Sequence, residues 1–566
     1  MHRRSYIVLF PFLLTAIDSN AQPDAFHYEQ HKNITCGNAA VVSAHPLASQ
    51  AGLYILKQGG NAVDAAIATQ LALAVVYPGA GNIGGGGFLV AHLNNGKNIT
   101  LDYREKAPAK ASRDMYLDAA GNPIKKLSLE GHLASGVPGT IAGLFSCLKY
   151  ARLDFKKLIA PAILLAEKGF VLTAAQAESL NSKRNDFLKA NKNPVAFVKS
   201  TDWKAGDTLI QKDLAATLKR IRDKGMKGFY EGRTADLIVS EMQSGNGIIS
   251  HADLKAYHAV ERTAMQFPYK GYEIVTMPLP SSGGIILQQM LKMTENRNIG
   301  SMGFQTAESV QIMIEAERRA FADRAYFLGD PDFVKVPVKK LVSASYLQQR
   351  MADFTPGIAG RSDLTKAGLI HESEQTTHIS IVDKDGNAVS VTTTLNDSYG
   401  SKTVVSGAGF LLNNEMDDFS VKEGAPNMYG AVGNAANAIA PNKRMLSSMT
   451  PALVLKNNKA YIVVGSPGGT TIPTSVFQSI LNVVDFSLSP ADAVNLPKFH
   501  HQWLPDSVYF ERDYPATVIQ KLSGMGYKVK YRDPIGRTEL IRIDDKKRRQ
   551  ITAIADKRGD DDAEGN

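Results

Sequence analysis

Cysteine is nearly missing from this 566-residue chain, which holds only Cys36 and Cys147. One pair cannot form a disulfide framework, and a chain of this length does not need one to bury a core. The two are read as unpaired, inert thiols. No Cys/His spacing resembles a zinc site, and the His500-His501 doublet lacks the i, i+4 geometry of a metal-binding helix, so no metal and no cofactor is expected. Charge of one sign is not in large excess either. The 64 basic and 55 acidic residues are scattered along the whole length and leave a net charge of +9, a mildly basic surface without a nucleic-acid footprint. With 44% hydrophobic and 21% charged residues the composition is that of a globular protein.

A hydrophobic run of membrane length is also missing. The apolar stretch Tyr6 to Ile17 holds about a dozen residues, includes Pro11, and falls short of the roughly 20 that span a bilayer. It follows His2-Arg3-Arg4 and precedes Ser19-Asn20-Ala21, the charged start, apolar middle and small-residue end of a signal peptide. Residues 1-21 are therefore expected to be removed after Ala21, leaving a periplasmic or secreted protein with no membrane span.

What is present is patterned. Apolar residues recur at helical spacing from Pro46 to Val76, and the chain then enters the glycine run Gly81 to Gly87. A phosphate loop would continue with Gly-Lys-Ser/Thr, whereas Phe88-Leu89-Val90 reads as a buried strand. Residues 154 to 350 are rich in helical patterns and read as scaffold. Within them Glu315-Ala316-Glu317-Arg318-Arg319 reads as a solvated helical face. From Ala359 to Gln375 the composition is that of an exposed linker, and the acidic residues after Arg558 read as a disordered tail.

Directly after the linker the character changes. Thr377 to Asp383 and Asn387 to Leu395 largely alternate around Lys384-Asp385-Gly386, a three-residue hairpin loop. With Asp383 facing Asn387, the register puts Thr394 opposite Thr376. One face then carries Ile379, Ile381, Val389, Val391 and Leu395, and the other Thr376, His378, Ser380, Ser390, Thr392 and Thr394. The hydroxyl face by itself fits ordinary β-propensity. Next to a linker it has a second reading. A threonine hydroxyl is a weak nucleophile without a base, and one solution is to make it the first residue of a chain, whose α-amine has a pKa near 7.7 to 8.0.

Gln375-Thr376-Thr377-His378-Ile379-Ser380 with Val391-Thr392-Thr393-Thr394-Leu395-Asn396 resembles the processing site of gamma-glutamyltranspeptidases. So do Asp102-Tyr103-Arg104-Glu105, the run Leu412 to Phe419, the run Arg444 to Pro451, and Gly465-Ser466-Pro467-Gly468-Gly469, in order from about Ala39 to about Ile554. The resemblance implies an α+β fold, the four-layer αββα sandwich of N-terminal nucleophile hydrolases. It implies one composite domain built from a heavy subunit, residues 22-375, and a light subunit, residues 376-566. In that reading the precursor cuts itself between Gln375 and Thr376. Thr376 then attacks the γ-glutamyl amide of glutathione or another γ-glutamyl compound, and water, an amino acid or a dipeptide accepts the glutamyl group.

By the same resemblance Thr394 positions the nucleophile, and the N–H groups of Gly468 and Gly469 receive the oxyanion, although that pair also fits a plain turn after a strand. Arg104, Ser447 and Ser448 are similar to the family's carboxylate binders, and Asn396, Glu415 and Asp418 to the residues that hold the amine. Tyr429 is similar to a gating lid tyrosine. Glu415 stands where many bacterial relatives have Gln, and Asp556-Lys557-Arg558 departs from a frequent Asp-Pro-Arg. Two other readings remain: an acylase or poly-γ-glutamate depolymerase or ligase on the same fold, and a non-catalytic exported binding protein.

Overall fold

The hairpin organises the fold. In the computed structural model, which describes residues 22–362, 376–424, 433–545 and 548–566, Thr377–Val382 and Ala388–Thr394 pair antiparallel with Thr377 opposite Thr393 and Ile379 opposite Val391. This is the register expected from the loop, whose Gly386 takes φ +92°. Residues 1–21, expected to be a signal peptide, and the candidates Gln375 and Tyr429 lie outside the described residues.

Five further strands extend the hairpin into a seven-stranded sheet. Its order is Asp562–Gly565, Ala40–Ser43, Thr377–Val382, Ala388–Thr394, Gly86–His92, Asn98–Asp102 and Val260–Arg262. A second seven-stranded sheet runs Asn33–Cys36, Gln550–Ile554, Glu539–Asp544, Lys459–Gly465, Ala452–Lys456, Tyr272–Thr276 and Met265–Tyr269.

Alternation along each strand decides what packs where. Ile379, Ile381, Val389 and Val391 join the core formed with the helices Pro46–Lys57, Ala62–Val76 and Phe155–Lys168. Val382, Ala388, Val42 and Phe88 point the other way and meet Val275, Leu453, Val463 and Ile541 between the sheets. On the far side Ile274, Val454, Ile462 and Leu540 pack with Gly283–Glu295, Ala307–Phe327 and Thr471–Val484. The layers are helix, sheet, sheet, helix, the expected αββα sandwich.

Three expectations need correction. The helical pattern from Pro46 to Val76 is two helices, because Gly59 adopts φ +90° and Asn61 begins the second with a reciprocal cap to Asp64. The run Glu315 to Arg319 is not a solvated face but fully buried. Its charges are matched both within the run and from a distance: Arg319 pairs with Glu315 and with Asp353 at 2.7 Å, Arg318 pairs with Asp506, and Glu315 accepts from the Tyr527 hydroxyl at 2.6 Å. Nor is the acidic tail disordered. Asp562–Gly565 is an edge strand on Ala40–Ser43, and Arg558 is tied to Glu511 and Asp556. The two thiols are unpaired, Cys147 being buried and Cys36 half-buried.

Candidate active site

The hydroxyl face of the hairpin lies against the second sheet. The Ser380 hydroxyl donates to the Glu539 carbonyl at 3.0 Å and the Ser390 hydroxyl to the Val464 carbonyl at 3.1 Å, so these side chains bridge the layers. His378 Nδ1 lies 2.9 Å from the Thr392 hydroxyl, and burial pushes its imidazole down to about 3, which keeps it neutral. The end of the strip opens into a pocket. There Thr376 Oγ1 lies 3.5 Å from Thr394 Oγ1, which accepts the Asn396 N–H at 2.8 Å. Asn396 itself sits at φ +77° and donates its side-chain amide to the Asn414 carbonyl at 3.0 Å.

The other strands bring the rest. Gly468 and Gly469 leave the strand Lys459–Gly465 at φ +131° and +54°, just before the helix Thr471–Val484. Their carbonyls accept the N–H groups of Thr471 and Ile472, while no acceptor among the described residues takes their own N–H groups. A Cβ on Gly468 would lie 2.3 Å from the Thr471 hydroxyl, so the turn admits no side chain. Arg104, just past the strand Asn98–Asp102, is 1% exposed, forms an ion pair with Glu415 Oε2 at 2.6 Å and hydrogen-bonds Asp418. All the sequence candidates within the described residues except Gly468 line this one pocket.

Three carboxylates surround one guanidinium: Glu415, Asp418 and, at 3.6 Å, Glu105. Burial alone would lower the Arg104 pKa, but these acids overcome it and hold the group charged. Burial raises both Glu105, to about 8, and Glu415, since a single arginine cannot offset two further buried anions. The protein side therefore has negative charge or bound protons in surplus, a setting that suits an ammonium group. With Arg104 folded onto its acids the cavity is about 20 Å³, room for little more than a water. Roomier clefts of about 510 and 720 Å³ lie beside Glu241 and beside Arg318, and neither is lined by Thr376, Thr394 or Gly469.

Sequence reading missed Arg324. It is 7% exposed, lines the pocket, and donates through Nε to the Ser282 hydroxyl and through Nη2 to the Ser448 hydroxyl, both at 3.0 Å. Burial and the nearby Arg104 lower its pKa to about 10, against the pull of Asp418. No local signal distinguishes it from its neighbours in a charged helix; only the packing of Ala307–Phe327 on the pocket does.

A threonine at the head of an inner strand, paired hydroxyls and a glycine turn whose N–H groups are unpaired among the described residues, inside an αββα sandwich, define the class of N-terminal nucleophile hydrolases. Comparison with known proteins gives the particular branch. A family model described as gamma-glutamyltranspeptidase matches residues 48–566, and the chain belongs to that family. It is 46% identical over 532 residues to the glutathione hydrolase proenzyme of Escherichia coli (strain K12), covering 93% of this chain and 91% of that protein. Among solved structures, the gamma-glutamyltranspeptidase of Helicobacter pylori is 46% identical, with a TM-score of 0.56 over 58% of this chain and 96% of that one. Cephalosporin acylase from Bacillus halodurans is 26% identical, with a TM-score of 0.82 over 95% of this chain and 98% of that one.

Proposed function

We propose that the precursor cuts itself between Gln375 and Thr376 and that the new N-terminal Thr376 is the nucleophile of a gamma-glutamyltranspeptidase acting on glutathione and related γ-glutamyl amides. The Thr376 α-amine, free to act as base near neutral pH, takes the hydroxyl proton as Oγ1 attacks the γ-carbonyl. The Gly468 and Gly469 N–H groups receive the developing oxyanion, each such donor being worth roughly 3 kcal/mol. The C–N bond then breaks, the amine leaves with the proton, and a glutamyl ester remains on Thr376. Water, an amino acid or a dipeptide attacks that ester and restores the threonine.

The head group is read by charge. The substrate α-ammonium replaces the proton that burial favours at Glu415 and pairs with Asp418, with help from Asn396, and the α-carboxylate meets Arg104, Ser447 and Ser448. The observation that carries this reading is the Thr376–Thr394 hydroxyl pair sharing one pocket with Arg104 and its acids. In this reading Tyr429 gates the pocket. Residues 1–21 direct export to the periplasm or beyond, consistent with no helix among the described residues being long and apolar enough to cross a membrane.

Intact-mass measurement and N-terminal sequencing of wild type and Thr376→Ala, with γ-glutamyl anilide turnover, test the proposal. Two chains, one beginning Thr376-Thr377-His378, and activity only in the wild type are expected; a single inactive wild-type chain refutes it. The likeness to cephalosporin acylase favours one competing reading, a side-chain acylase. A glutaryl anilide without the α-amine separates the two, because the pocket acids give it no partner.

A further inference from the structure

His31 meets Asp562 and Glu564 although 531 residues separate it from Asp562 along the chain. His31 lies in the segment before the strand Asn33–Cys36, and the two acids, spaced by two, share one face of the strand Asp562–Gly565. His31 Nδ1 is 3.8 Å from Asp562 Oδ1 and 3.6 Å from Glu564 Oε1, and one donor atom from each residue lies within 4.8 Å of the others. A tetrahedral ion with bonds of about 2.0 to 2.1 Å sets its ligand atoms roughly 3.3 Å apart, so the observed edges at His31 need to close by only a few tenths of an ångström.

A second observation points to a ligand. Asp562 is fully buried, and its Oδ2 has no hydrogen-bond partner. A buried carboxylate oxygen left unpaired is costly, and a cation removes that cost. The ligands are also braced: Asp562 Oδ1 accepts the His31 backbone N–H at 2.7 Å, and Glu564 Oε1 accepts the Gln50 amide at 3.3 Å. His31 is 46% exposed, which leaves a side open for water.

We propose that His31, Asp562 and Glu564 bind one divalent transition-metal ion, with zinc the best match to one imidazole and two carboxylates, and that the ion ties the first part of the chain to its last strand. On the proposed cut, though not dependent on it, this joins the start of the heavy subunit to the end of the light one. Spacing in the sequence could not reveal such a site, because its ligands come from opposite ends of the chain.

The test uses untagged full-length protein stripped by a chelator, titrated with Zn²⁺ by calorimetry, with Tm measured with and without the ion. Wild type is expected to bind one equivalent and to gain in Tm. His31→Ala and Glu564→Gln should each bind at least about 10-fold more weakly and lose the Tm gain, with γ-glutamyl anilide turnover unchanged in all three. Should one variant fail to fold, the other carries the comparison. If the stripped wild type binds no zinc at 1 mM on the order of standard assay concentrations, or if both variants match it in stoichiometry and Tm response, the cluster is an ordinary histidine–carboxylate ion pair and the proposal falls.

Discussion

Arg324 shows how much of the pocket depends on one side chain outside the family words. Its planar fork holds the Ser282 and Ser448 hydroxyls at once, and a lysine, with a single point charge on a flexible stem, cannot span both. Arg324→Lys should leave Ser448 unoriented toward the substrate carboxylate. The KM of a γ-glutamyl donor is expected to rise about 10-fold, the scale of one lost charged hydrogen bond, with kcat within about 3-fold of wild type. Ser448→Ala should give a similar rise, and the double variant less than the product, because the two act as one unit. Steady-state kinetics on the three proteins checks this; a fall in kcat with unchanged KM would show that Arg324 acts on the chemical step instead.

At the scale of elements, legibility followed locality. The hairpin was readable because strand alternation and the Gly386 loop fix the register within a few residues, and the register alone placed Thr394 beside Thr376. The helix Ala307–Phe327 is legible, but its charged run reads as solvated for the opposite reason: besides the local Arg319–Glu315 pair, Asp353, Asp506 and Tyr527 hold its charges, and no window around Glu315 contains them. Composition likewise marked the C-terminus as disordered, yet Asp562–Gly565 gains its order from the edge of Ala40–Ser43. The sheet-to-sheet contact makes its own prediction. A Cβ on Gly465 would lie 2.1 Å from His378 Cε1, and the ring is already held by Thr392. Gly465→Ala must therefore push the sheets apart beside His378. It is expected to cost about 2 to 4 kcal/mol, in the range of severe core strain, and to slow cutting at Thr376. Denaturant melts and the fraction of cut chain on gels measure both effects, and an unchanged melt would mean that the His378 side chain has room to turn away.

For the whole molecule, the interior holds ionisable groups whose shifts oppose one another. Burial lowers His45 and His501 to about 4 and His378 and His500 to about 3, while it raises Glu105 to about 8. A histidine whose folded pKa lies below its unfolded value of about 6.5 leaves the folded state unprotonated while the unfolded chain takes up a proton. Its contribution is intact above about 6.5 and is lost as pH falls toward the folded value, by about 1.4 kcal/mol per pH unit. A carboxyl raised by burial works in the other direction, losing stability as pH rises from about 4.5 to about 8. The two sets partly cancel in the total, so a flat stability profile would not show that either is absent. The difference between wild type and a variant isolates one group. His500→Gln removes the titration while retaining a side chain able to bond Thr474 or Gln502, which His500 contacts at 2.9 and 2.8 Å. Whatever its fixed cost at pH 7, its stability relative to wild type should improve steadily between pH 6.5 and 4, by roughly the single-group slope. Denaturant melts of both proteins across that range measure it, and a difference independent of pH would mean that His500 is already charged in the folded protein or that the native state opens to water before it titrates.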